Sequence, residues 1–159
     1  MTMGDPCNHA VVGVLAEWNG RYLTGLRAKT PIAVAPCAGH VDELATRIPT
    51  GAKAEEPAFR AAGARELEEE TGLRVRDRDL RLVLNRLGGD RCHRKAGSVD
   101  GDNWHHWLVF QVSFTGKEPP AARSNGELND LTWRTPAELA ALPNLEPIWR
   151  EFLRQLRII

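Results

Sequence analysis

The chain has 159 residues and a mass of 17.7 kDa, the length of one domain and enough to bury a core without staples. Hydrophobic residues are 42% and charged residues 26% of the total, which excludes a disordered or fibrous chain. Lys+Arg and Asp+Glu balance at 21 each, so bulk charge supplies no reason to bind nucleic acid or an acidic membrane. No apolar run approaches the roughly 18 residues of a membrane span. Met1 to Ala10 holds Asp5, Pro6 and Asn8 and lacks the apolar stretch of a signal peptide. A cytoplasmic protein is the expectation.

In chain order, His9 to Glu17 (HAVVGVLAE) reads as a buried strand. Asn19-Gly20 follows, the dipeptide of a type I′ hairpin turn, whose central residues both need positive φ. Tyr22 to Leu26 is the returning strand, and Ile32 to Ala38 is a short apolar segment broken by Pro36. Residues 42–56 are polar, include Pro49 and Gly51, and read as a long loop of the kind that often carries function. Pro57 to Thr71 is the strongest helix, with Pro at its first position and Gly72 as its stop. Leu80 to Leu87 and Trp104 to Phe114 read as strands flanking a polar, Gly-rich loop that holds Arg91, His93, Arg94 and Lys95. Leu128 to Trp133 is a last strand. Thr135-Pro136-Ala137-Glu138 is a capping box. Within the C-terminal helical tail, residues 145–159, Leu145 to Leu156 reads as a terminal amphipathic helix with Trp149, Phe152, Leu153 and Leu156 in its apolar stripe. The sum is a single α+β or α/β domain over 1–159, a mixed sheet with helices packed against it.

Three cysteines, Cys7, Cys37 and Cys92, show no C-x-x-C spacing, which argues against a disulfide framework and against a structural zinc site. The end of the long helix is more informative. At about 100° per residue, Arg65, Glu66, Glu69 and Glu70 share an arc of roughly 140°, Leu67 falls toward the core and Glu68 points away. Glu66 and Glu70 are a like-charge i,i+4 pair at the helix end where the dipole prefers cations. The bland reading is a solvated acidic face. The chemical reading is that something positive compensates, and hard oxygen donors suit Mg²⁺ or Mn²⁺.

Arg65-Glu66-Leu67-Glu68-Glu69-Glu70-Thr71-Gly72-Leu73 resembles the second half of the Nudix box, R-E-U-x-E-E-x-G-U, and meets all seven of its specified positions. The order of elements from Val11 to Trp133 is also similar to that family's mixed sheet sandwiched between helices. The first half of the box, G-x5-E-x7, departs: counting back from Arg65 places Pro57 at the Glu and Gly51 at the Gly. Gly39, entered from a strand in Pro36-Cys37-Ala38-Gly39-His40, is the favoured box glycine, which makes residues 43–56 an insertion.

The resemblance implies a hydrolase of a pyrophosphate bond in a nucleoside diphosphate linked to another moiety, with water attacking phosphorus. It implies Mg²⁺ or Mn²⁺ held by Glu66, Glu69, Glu70 and Gly39, with Arg65 orienting the site. Glu66 or Glu127 would take the proton from water; Asp100, Asp102 and Asp130 compete with Glu127 for the distant-loop position. Trp104, His106 and Arg91 are the candidates for substrate contact, since Trp104 and His106 share one strand face while His105 and Trp107 share the other. A small-molecule nucleotide is the expected partner, with no nucleic acid and no membrane, and a homodimer is admitted. Two rivals keep the fold: an isomerase of prenyl diphosphates using Cys37, and a non-catalytic nucleotide sensor.

Overall fold

The computed structural model describes residues 7–44, 55–89 and 104–159. Among the described residues, seven strands form one mixed sheet: β1 (Ala10–Trp18), β2 (Arg21–Arg27), β3 (Val34–Ala35), β4 (Cys37–His40), β5 (Arg81–Gly88), β6 (His105–Phe114) and β7 (Leu128–Arg134). The path runs β3-β2-β1-β6-β5, with β4 paired to β1 and β7 paired to β2. β1 and β6 are parallel, in register Val11↔Trp107; every other pairing of named strands is antiparallel. The hairpin between β1 and β2 turns on Asn19 (φ 50°) and Gly20 (φ 77°), the positive pair that the dipeptide predicts.

The alternation of side chains along β1 and β6 divides the core in two. Val12, Val14, Leu108, Phe110 and Val112 face α1 (Glu56–Thr71), where they meet Phe59, Ala62 and Leu67. Val11, Leu15, Trp107 and Val109 face α3 (Pro147–Gln155), where they meet Trp149, Phe152 and Leu153. With both faces covered, β1 reads as a nearly continuous apolar run rather than an alternating one. Close approach is built in on each side. A Cβ on Gly63 would stand 3.2 Å from Val12, and one on Gly13 would stand 2.5 Å from the Trp149 ring.

α1 buries Phe59, Ala62, Gly63, Glu66, Leu67, Glu70 and Thr71. This is one continuous stripe at helical spacing in which two acids, Glu66 and Glu70, take places among the hydrophobes near its end. Gly72 (φ 75°) ends the helix in the left-handed conformation and donates its N–H to the Glu68 carbonyl at 2.8 Å. α2 (Pro136–Ala141) starts on the expected capping box, Thr135 Oγ1 accepting from the Glu138 N–H at 3.2 Å.

The tail departs from expectation at its start. Leu145 bridges Val34, and Glu146 donates its N–H to the Val34 carbonyl at 2.9 Å, so this segment is held as an extended strap and the helix starts only at Pro147. Ile148 joins the buried stripe. Of the long polar loop, Asp42–Leu44 forms a 3₁₀ turn and Glu56 already belongs to α1; residues 45–54, Gly51 included, lie outside the described residues.

Candidate active site

The C-terminal half of α1 passes beside β4. Register fixes what meets there. Gly39 pairs with Val12 and so faces α1, while His40 pairs with Val11 and faces the other layer. A Cβ on Gly39 would lie 2.2 Å from the Glu66 carboxylate carbon. The missing side chain is therefore the space that the Glu66 carboxylate occupies. Next to it, Glu70 Oε1 accepts the Ala38 N–H at 3.2 Å and the Cys37 thiol at 3.4 Å. Gly39 is a glycine that the described residues place against the acids; Gly51 lies outside them.

Arg65 holds this corner together. Its guanidinium donates to Glu66 Oε1 at 2.9 Å, Glu69 Oε2 at 3.3 Å, Glu43 Oε1 at 2.8 Å and the His40 carbonyl at 3.3 Å. One side chain thus ties α1 to β4 and to the turn that follows it. Glu69 is half exposed at the outer rim. Glu68 points away, as the helical arc requires, and pairs with Arg74 at 2.8 Å.

Glu66, Glu70, Gly39 and Glu127 line one pocket of about 880 Å³. Glu127 is exposed and immediately precedes β7; its carbonyl accepts the Ala28 N–H at 3.0 Å, which fixes it to the end of β2. The rest of the wall is mixed: Arg27 and Lys29 supply cations, Ile32 and Trp107 apolar surface, and His40 and His105 imidazoles.

The substrate-contact expectation needs correction on one strand. The face of β6 that lines the pocket carries His105 and Trp107. His106 lies on the opposite face, toward α1, with Nε2 2.6 Å from Asn85 Oδ1 and its ring against Phe59. Burial holds its pKa below the ordinary value. Trp104 stacks on His9 with ring centroids 4.0 Å apart. The two-residue period pairs these residues as expected; the covering layers decide which pair meets the cavity. Arg91, Asp100 and Asp102 lie outside the described residues, and so do Cys92 and His93. Asp130 does not line the pocket.

Electrostatically the pair Glu66 and Glu70 is uncomfortable alone. Burial first, opposed by Arg65 and reinforced by Glu69 and Glu127, pushes the Glu66 carboxyl up to about 7. Burial and then the Glu66 charge push Glu70 up to about 8, against hydrogen bonds from Cys37 and Ala38. Both acids bind protons more tightly folded than unfolded, so the fold loses stability as pH rises from about 5 through 8. At about 1.4 kcal/mol per unit, the loss is on the order of a few kcal/mol. We expect the melting temperature in chelator to fall across that interval, Glu70→Gln to flatten the fall, and Mg²⁺ to restore the loss. A flat wild-type profile in chelator would show the two carboxylates to be adequately solvated. An all-oxygen donor set, buried and short of positive charge, fits a hard divalent cation.

A second cluster sits in the same wall, and linear spacing offers no hint of it: Cys7, His40 and His105 converge, their donor atoms all within 4.8 Å of one another.

Residues 8–156 match the model of the NUDIX domain family. No curated protein matches the chain in sequence. Among solved structures, the NUDIX domain of Shewanella oneidensis NrtR, complexed with ADP ribose, is similar at TM-score 0.63 and 14% identity, over 93% of this chain and 85% of that one. The MutT protein of Methanosarcina mazei is similar at TM-score 0.60 and 16% identity, over 93% and 91%. A C. elegans Ap4A hydrolase in a binary complex is similar at TM-score 0.53 and 14% identity, over 92% of each chain. At these identities the likeness is one of fold.

Proposed function

Because the chain belongs to the NUDIX domain family, whose enzymes act on nucleoside diphosphate derivatives, we propose that it hydrolyses the pyrophosphate bond of a nucleoside diphosphate linked to another moiety, with Mg²⁺ or Mn²⁺ as cofactor. The observation that carries this reading is the buried pair Glu66 and Glu70 opening, with Glu127, into a pocket of about 880 Å³, a volume in the range of small-molecule sites. Glu66, Glu69 and Glu70 would hold the cation, and the Gly39 carbonyl would be a further oxygen donor. Bound there, a divalent ion reverses the sign of an acidic corner that would otherwise repel a diphosphate, polarises the phosphoryl oxygens and lowers the pKa of water.

The chain's own groups do the rest. Arg65 holds Oε1 of the Glu66 carboxylate, and Glu66 lines the pocket. Glu66 accepts the proton from the attacking water, and Glu127, on an independent element, is the alternative base. Lys29 and Arg27 offer positive charge to the phosphates, although Arg27 is shared with Glu146 at 3.2 Å. The buried edge of Trp107 and exposed Ile32 offer apolar surface to the remainder of the substrate.

The isomerase rival requires Cys37 to reach substrate. Cys37 is 3% exposed, faces α1 and donates to Glu70; burial and then the Glu70 charge push its thiol well up. It does not line the pocket. A sensor with an impaired carboxylate set is equally unsupported, since every helix glutamate is in place.

The test is a panel of nucleoside triphosphates, nucleotide sugars, ADP-ribose and dinucleoside polyphosphates with Mg²⁺ in ¹⁸O-water, read by product mass. We expect label in a phosphate-bearing product, because the positive charge is concentrated on the diphosphate. Label at a sugar carbon, or an unlabelled isomer of an intact diphosphate, would end the hydrolase reading.

A further inference from the structure

We propose that Cys7, His40 and His105 form a second metal site, for Zn²⁺ or a similar thiophilic divalent ion, separate from the glutamates of α1. The donor set is the first argument. One thiol and two imidazoles suit borderline-soft ions, whereas the helix acids suit hard ones. The geometry is the second. In tetrahedral zinc sites the metal lies about 2.3 Å from sulfur and about 2.0–2.1 Å from nitrogen, which sets bound sulfur and nitrogen about 3.6 Å apart. Cys7 Sγ lies 3.6 Å from His40 Nε2 and 3.6 Å from His105 Nε2. Both sulfur-to-nitrogen edges of such a tetrahedron are thus already in place, and the donor atoms of the two imidazoles lie within 4.8 Å of each other.

The third argument is how the chain holds Cys7 there. Cys7 precedes β1, His40 ends β4 and His105 begins β6, and β1 lies between those two strands. His9 takes a positive φ of 60°, which turns the segment back over the sheet end. The His9 N–H donates to Cys7 Sγ at 3.3 Å, an interaction that favours the thiolate, the form that binds metal. The His9 ring stacks on Trp104, and its Nδ1 lies 2.9 Å from the Trp104 carbonyl. Asn8 adds a hydrogen bond from its side-chain amide to the Val41 carbonyl at 2.9 Å. A non-glycine residue in left-handed backbone, buried with its neighbours pinned, is a costly way to place a thiol unless the thiol has a partner of consequence.

The site borders the pocket, since His40 and His105 both line it. It also shares β4 with the acidic corner: the His40 carbonyl accepts from Arg65, which in turn holds Glu66. An ion on Cys7, His40 and His105 therefore fastens the segment before β1 to two strands and steadies the peptide on which Arg65 rests. Its place is positional.

The experiment uses the full untagged chain with Zn²⁺ and Co²⁺ as probes. We expect one Zn²⁺ per chain, retained against a large excess of Mg²⁺. The Co²⁺ form should show a thiolate-to-metal charge-transfer band and the intense visible absorption of a tetrahedral ion. Cys7→Ser should abolish the charge-transfer band, and His105→Gln should weaken Zn²⁺ by at least about 100-fold. Glu70→Gln should leave Zn²⁺ binding unchanged while lowering the Mg²⁺-dependent reaction by about 10²–10⁴, which separates failure of this site from failure of the hydrolase reading. The wild-type Co²⁺ spectrum is decisive without any variant: absence of the charge-transfer band overturns the proposal. So does a band that survives Cys7→Ser, or Zn²⁺ lost with Glu70→Gln. Should Cys7→Ser misfold, alkylation of wild-type Cys7, located by peptide mass, serves in its place. Zn²⁺ should slow it at least about tenfold, and an unchanged rate counts against the site.

Discussion

Glu70→Gln is expected to lower metal-dependent kcat/KM by about 10²–10⁴, corresponding to several kcal/mol of lost charge stabilisation. The substitution keeps the size and the two hydrogen bonds from Cys37 and Ala38, so the loss reports charge and not shape. Glu66→Gln should fall at least as far, since it also weakens the ion pair with Arg65 at 2.9 Å. Glu68→Gln is the control. It sits in the same acidic run but points to solvent against Arg74, and its activity should stay within about twofold, as surface pairs contribute little. Steady-state kinetics over a Mg²⁺ titration decides it. Equal losses at Glu68 and Glu70 would contradict the geometric division of the run. With chelator present, Glu70→Gln should melt no lower than wild type, because removing one of two buried like charges relieves the apo fold.

The second large effect is expected from one methyl group. In Gly39→Ala the added Cβ would stand 2.2 Å from Glu66 Cδ and 2.3 Å from its Oε1, far inside contact distance. What must give is the end of a flexible side chain, so the fold should survive with little change in melting temperature. The carboxylate, though, must leave its place beside Arg65. A displacement of about 1 Å in a reacting constellation costs about 100-fold in rate, and that is the loss expected in kcat, along with weaker Mg²⁺ binding. Gly13→Ala makes the contrast. Its Cβ would meet the Trp149 ring at 2.5 Å and 2.7 Å, a rigid group locked among Trp107 and Phe152. Overpacking there should cost about 1–3 kcal/mol of stability and leave the chemistry of the folded fraction alone. If Gly39→Ala lost stability and kept turnover, the glycine would be a packing residue and the close approach to Glu66 incidental.

How much of this was readable in the chain depends on how local each feature is. The hairpin at Asn19-Gly20, the helix between Pro57 and Gly72 and the capping box at Thr135 are decided within a few residues, and their physics is visible in the letters. The division of Glu66, Glu69 and Glu70 from Glu68 is likewise a matter of helical angle. The first half of the box motif is different. Its glycine is proposed at Gly39 on its pairing with Val12 and its close approach to Glu66, neither of which spacing along the chain can express. The face of β6 shows the same limit. Alternation says that His105 goes with Trp107 and Trp104 with His106, but which pair meets the cavity depends on α1 covering one side and α3 the other. Cys7, His40 and His105 mark the extreme case: Cys7 is 33 residues from one partner and 98 from the other, on three elements that meet only because β1 is flanked by β4 and β6. A rule for metal sites based on short cysteine spacing has nothing to detect there.

The position of β1 sets a hierarchy of local opening for the whole site. β1 pairs with β2, β4 and β6 and is covered by helices on both faces, so its backbone amides can exchange with solvent only when most of the domain comes apart. β4, with Gly39, is mounted directly on it. Glu127 instead hangs ahead of β7, a strand that pairs only with β2 among the described residues. Two walls of one pocket therefore belong to units of unequal cooperativity. For the wall bearing Gly39 and the α1 acids, amide protection close to that of the global fold is expected. For the wall bearing Glu127, amide exchange at a lower opening free energy is expected, with the carboxylate corner left intact.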